Sequence, residues 1–84
     1  MNDEIKLHVE FSRHLSAQEQ KLFCNEILKI IEGFNMKAGG ENDSLCLDWV
    51  IDYKESFNDK GGIIDSISEL LLEKDELILN FNIK

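Results

Sequence analysis

Proline is absent from this chain of 84 residues, and arginine and tryptophan each occur once. Without proline the chain builds no cis-proline turn and carries no proline-rich docking segment. Arg13 is the lone arginine, and no cluster of basic residues occurs. Acidic residues number 17 against 9 basic ones, for a formal net charge of -8. Nucleic-acid binding is driven largely by Lys and Arg neutralising phosphates, so direct DNA or RNA binding is not expected. A negative surface keeps a small protein soluble. It also suits a basic protein partner, which it would find faster through long-range attraction.

The two cysteines, Cys24 and Cys46, belong to no CxxC or CxxxH pattern, so no zinc site is expected. Each reads as a small apolar residue, and a disulfide is not implied. The start Met1-Asn2-Asp3-Glu4 lacks the basic-then-apolar order of a signal peptide. No apolar run approaches the roughly 20 residues of a membrane span. The expected compartment is the cytoplasm, with no membrane partner.

What is present is regular patterning. The composition is 43% hydrophobic and 31% charged, as in ordinary folded domains, and the length fits one domain over 1–84. In the segment 5–11, Ile5, Leu7, Val9 and Phe11 alternate with Lys6, His8 and Glu10, which predicts a half-buried strand. Ser16-Ala17-Gln18-Glu19 has the form of a capping box and opens a helix. Phe23, Ile27, Ile30, Ile31 and Phe34 then recur at helical spacing, with Leu22, Cys24 and Leu28 widening the stripe. Gly33 and Asn35 are the stop signals.

Met36 to Gly40 reads as a short strand whose paired glycines suggest a bulge or a close backbone approach. A polar turn over 41–44 follows. The next strand, 45–53, places Leu45, Leu47, Trp49, Ile51 and Tyr53 on one face. A polar connection over 54–62 leads to a second helix marked by Ile63, Ile64, Ile67, Leu70 and Leu71. The final strand, 77–83, points Leu77, Leu79, Phe81 and Ile83 inward. The order is strand, helix, strand, strand, helix, strand. If both helices cover one side of one sheet, every apolar face is buried. The expectation is an α+β, ferredoxin-like split β-α-β fold, its antiparallel sheet ordered fourth, first, third, second.

The uncovered sheet face would carry Lys6, His8, Glu10, Cys46, Asp48, Val50, Asp52, Ile78, Asn80 and Asn82. RNA-recognition domains of this topology need aromatic residues there, and none is expected. One histidine among carboxylates is better explained as exposed cross-strand pairing, such as Lys6 with an aspartate, than as a metal or acid-base site. His14 is expected in a solvated loop. No nucleophile elbow, phosphate-binding loop or metal motif occurs, so no catalytic, cofactor or metal residue is assigned.

Taken together, Leu7-His8-Val9-Glu10-Phe11, the Ser16-x-x-Glu19 helix start, Ile30-Ile31-Glu32-Gly33-Phe34-Asn35-Met36, Ala38-Gly39-Gly40 and Leu47-Asp48-Trp49 resemble the YggL-like family of small bacterial proteins. The resemblance covers roughly residues 5 to 52, more than half the chain. It implies a ribosome-associated protein of the large subunit without enzymatic activity. Acidity then points to a basic ribosomal protein rather than RNA, with Glu41, Asp43, Asp48 and Asp52 as candidate contacts. The alternative is a homo-oligomeric domain, such as a homodimer, that binds a small ligand at its interface, using the face bearing Cys46, Val50 and Ile78.

Overall fold

The computed structural model describes residues 3–53 and 60–84. Its elements run β1 (Asp3–Phe11), α1 (Ala17–Gly33), β2 (Lys37–Asn42), β3 (Cys46–Tyr53), α2 (Lys60–Glu73) and β4 (Ile78–Ile83). The four strands form one sheet ordered β2-β3-β1-β4, with every neighbouring pair antiparallel. Two split β-α-β units interleave, each passing over one strand of the other. This is the ferredoxin-like arrangement anticipated from the sequence.

Period-two alternation makes β1 the centre of the core. Ile5, Leu7 and Val9 are fully buried, while Lys6 and Glu4 are exposed. In β3, Leu47, Trp49 and Ile51 sit on the same side, in register with Val9, Leu7 and Ile5. Each helix lays a ridge of residues four apart onto that surface: Phe23, Ile27 and Ile31 from α1, and Ile63, Ile67 and Leu71 from α2. Such ridges form because side chains four apart stack along one helix face. Phe11 and Phe23 meet edge to face at 5.2 Å between ring centroids, which joins α1 to β1. Helix α1 lies toward β2 and α2 toward β4, so all the ridges reach one cluster.

The ends of α1 follow the expected signals. Ser16 and Glu19 form the reciprocal capping box. At the other end Asn35 adopts a left-handed φ of 57°. The Met36 amide donates to Ile31 at 3.1 Å and the Asn35 amide to Glu32 at 3.0 Å. That pair of bonds is a Schellman motif, with Met36 packed into the core beside Ile31.

Four details differ from the expectations. Helix α2 begins at Lys60, so Gly61 and Gly62 lie in its first turn rather than in a connection. The expected connection over 54–59 lies outside the described residues, as does the Tyr53 side chain. Strand β2 reaches Asn42, so Glu41 is a strand residue, and Leu45 falls in the turn, where it is exposed. In β4 the pairing with β1 shifts between Glu10 and Phe11, so that Phe11 faces Ile78 and Glu10 faces Asn80. Leu79 is the extra residue of a bulge, 70% exposed instead of inward, and Ile78 packs against the core instead of lying on the open face. A one-residue bulge reverses inside and outside on its far side, and this one defeats simple alternation.

The glycine pair is divided in role. Gly40 has φ +154°, and a Cβ there would meet the Asp48 carbonyl oxygen at 2.2 Å and the Trp49 Cα at 2.8 Å. The two hairpin backbones therefore approach more closely than any side chain permits. Gly39 has nothing within 4 Å of its Cβ position. Gly40→Ala is expected to lower the unfolding free energy by about 2–4 kcal/mol from strain and overlap. Gly39→Ala is expected to change it by no more than about 1 kcal/mol. Urea denaturation of the two variants checks both, and equal effects would refute the division.

Candidate functional site

With both helices on one side, the other side of the sheet is left to solvent, and its side chains come from alternate strand positions. Register places them in rows. One row runs Lys37, Asp52, Glu4 across β2, β3 and β1. The next runs Gly39, Val50, Lys6, and a third runs Glu41, Asp48, His8, Asn82 across all four strands. The last joins Cys46, Glu10 and Asn80. Five carboxylates thus share a face with two lysines, and no aromatic side chain lies on this face among the described residues.

Three of the four candidate contacts, Glu41, Asp48 and Asp52, are on this face and exposed. Glu41 stands directly opposite Asp48, an arrangement that repels unless a cation intervenes. His8 offsets the charge of Asp48 from its other side. Its Nδ1 bonds the Asp48 carboxylate and its Nε2 lies 3.2 Å from Glu10 Oε1. Only the imidazolium donates from both nitrogens. Hydrogen bonding to Asp48, then to Glu10, raises the His8 pKa above its ordinary 6.5 against a smaller opposing effect of burial. Lys6, by contrast, lies opposite Val50, and no ion pair joins it to a described carboxylate. The cross-strand pairing of opposite charges is made by His8.

Asp43 is in a different position, at the tip of the β2–β3 hairpin. Its Oδ1 accepts from the Leu45 amide at 2.7 Å and the Cys46 amide at 2.8 Å. These two backbone bonds, Leu45 first, lower its pKa and keep it ionised. Asp43 therefore shapes the turn through its Oδ1. The tip and the adjoining strands enclose an open hollow of about 460 Å³, lined by Gly40, Glu41, Asn42, Asp43, Cys46 and Asp48. Burial, followed by the charges of Asp43 and Asp48, raises the Cys46 pKa, so the thiol stays protonated and is a poor nucleophile. Cys24 is on α1, on the other side of the sheet, with its pKa raised by burial. Both cysteines are free.

The segment between β1 and α1 ties this end of the sheet together. The Ser12 amide and hydroxyl donate to the Leu77 and Glu76 carbonyls, both at 2.8 Å. The Leu15 amide donates to the Ser44 carbonyl at 2.9 Å, and His14 Nδ1 lies 2.9 Å from Ser44 Oγ. His14 is exposed, as expected of a loop residue, but it is also bonded to the hairpin. Arg13 grips Glu19 through both guanidinium nitrogens, at 3.0 and 2.6 Å. That pair, then the Ser16 amide, lowers the Glu19 pKa to about 2. Sequence spacing gave no sign of the Arg13 contact, whereas Asp43 in a polar stretch just before a strand is a recognisable turn signal.

No group of three His, Cys, Asp or Glu side chains is arranged to hold a metal ion among the described residues. Nor is any described helix long and apolar enough to cross a membrane. No protein-family model, curated protein or solved structure matches this chain.

Because folding raises the His8 pKa, the protonated ring stabilises the fold. That contribution is full below about 6.5, the unfolded value, and is lost as pH rises through the folded value. An NMR titration is expected to place the His8 midpoint above 6.5. Asp48→Asn should bring it down further than Glu10→Gln does. A midpoint at or below the ordinary value in the native chain would contradict the bonded geometry.

Proposed function

We propose that this chain is a cytoplasmic binding protein without enzymatic activity, which docks its acidic open sheet face on a basic protein. The observation that carries the reading is the composition of that face: among the described residues, Glu4, Glu10, Glu41, Asp48 and Asp52 share it with Lys6, Lys37 and His8, and Lys84 is bonded to Lys6 at its border. Such a surface repels phosphates and lacks stacking platforms, so a polynucleotide is the wrong occupant. A lysine- or arginine-rich protein surface is the right one. Glu41 and Asp48 stand side by side with one histidine between the pair and β4, which leaves Glu41 free to meet an incoming cation.

Resemblance to the YggL-like proteins narrows the partner to a basic protein of the large ribosomal subunit. The small-ligand alternative relies on an interface formed by the face bearing Cys46, Val50 and Ile78, and that face loses Ile78, which packs against the core. Exposed charge pairs are screened by salt, so the association should be salt-sensitive.

Co-sedimentation with ribosomes through sucrose gradients tests the reading. The native chain is expected to travel with the large subunit at low salt and to leave it at high salt. A variant combining Glu41→Lys, Asp48→Lys and Asp52→Lys should lose at least about tenfold in retention, near 1.4 kcal/mol of binding free energy. Asp43 is spared because its carboxylate holds the turn. A native chain that stays at the top of the gradient at low salt would overturn the ribosomal assignment.

A further inference from the structure

The opposite edge of the sheet from the hairpin has a separate property. Strand β4 is an edge strand, bonded to β1 on one side only. Antiparallel ladders alternate, and two bonds fix the phase of this one. Lys84 donates to the Lys6 carbonyl at 3.1 Å, and Phe11 donates to the Leu45 carbonyl at 2.8 Å. Even-numbered residues of β1 therefore bond β4, and odd-numbered residues bond β3. It follows that Asn80 and Asn82 turn their backbone groups toward β1, while Phe81 and Ile83 turn theirs off the edge. No described residue pairs with those outward groups.

Edge strands are normally protected by charge, proline or cover. Ile78-Leu79-Asn80-Phe81-Asn82-Ile83 has neither charge nor proline, and its bulge protects one end only. Two exposed leucines flank it: Leu79 is 70% exposed and Leu72, on α2, is 65% exposed. Between them runs a groove of about 240 Å³ whose lining includes Asp75, Ile78 and Phe81.

We propose that β4 pairs antiparallel with β4 of a second copy of this chain, joining two sheets into one. Charge selects this occupant and this orientation. At a net charge of -8 two copies repel over most of their surfaces, and β4 is a strip where they do not. The other edge, β2, carries Lys37 and Glu41 and is interrupted by two glycines. The flanks of β4 are opposite in sign, with Asp75 and Glu76 before it and Lys84 after it. Antiparallel pairing brings each Lys84 toward the acidic turn of the other copy, whereas parallel pairing stacks like charges. With Phe81 on the two-fold axis, Leu79 of one copy faces Ile83 of the other. The open acidic face is not consumed, so this assembly is independent of the docking proposed above.

Sedimentation equilibrium from micromolar to millimolar concentration tests the pairing, together with amide exchange followed by NMR. The native chain is expected to form a reversible dimer. Exchange at Phe81 and Ile83 should slow as concentration rises, with Asn80 and Asn82 unchanged. Leu79→Glu, at a site too exposed to disturb the core, should weaken association at least tenfold. Lys84→Glu should weaken it most at low salt, and Val50→Glu on the open face should leave it intact. Three results would each overturn the proposal. They are a native chain monomeric at millimolar concentration, a dimer indifferent to Leu79→Glu, and protection of Phe81 and Ile83 only when a basic peptide is added.

Discussion

The contact between two helical ridges and the inward row of two central strands governs everything else in this molecule. Phe23, Ile27 and Ile31 from one helix, and Ile63, Ile67 and Leu71 from the other, close over Ile5, Leu7, Val9, Leu47 and Ile51. An 84-residue chain has material for one such layer only. The second face of the sheet must therefore be water-compatible, and the fold itself provides a flat polar surface. Most strand positions not needed in the core are charged or carry amides, and five of the chain's 17 acidic residues, Glu4, Glu10, Glu41, Asp48 and Asp52, stand on that face. Burial on one side and a charged, water-facing surface on the other are two results of the same alternation.

Electrostatics then arranges that surface. Glu41 and Asp48 are forced together by register, and His8 between Asp48 and Glu10 relieves the repulsion. Arg13 does comparable service for Glu19 at the helix start, and Lys74 lies 2.7 Å from Glu26 between α2 and α1. These pairs are exposed, and their value lies more in setting side-chain positions than in stability. The hairpin tip is held differently, by a carboxylate bonded to its own backbone, so its shape is set locally.

Most of the architecture was legible because it rests on period and capping. The alternation from Ile5 to Phe11, the Ser16–Glu19 box and the Asn35 stop each describe a local preference that tertiary packing reinforces. Gly40 was legible as a place of close approach, though which of two glycines bore the constraint depended on cross-strand register. In strand β4 a bulge breaks the period and exchanges the places that alternation assigns to Ile78 and Leu79. Helix α2 starts earlier than its apolar stripe indicates, because glycine is a poor helix former and the first turn contains two. On the open face, Glu10, Asp48 and Asp52 follow from alternation, whereas Glu4 and Glu41 lie beyond the strands that the sequence pattern marks out. The meeting of His8 with Asp48, forty positions apart, is a matter of sheet register that no local pattern contains.

The bulge at Leu79 carries a last consequence. If that residue were removed, the remaining Ile78-Asn80-Phe81-Asn82-Ile83 would alternate without interruption and keep Phe11, Val9 and Leu7 facing Ile78, Phe81 and Ile83. Leu79 lies outside the core, and no residue of β1 pairs with it. It is a looped-out letter in an otherwise regular word. A leucine outside the alternation of its neighbours shapes the edge of the sheet rather than the packing of the interior.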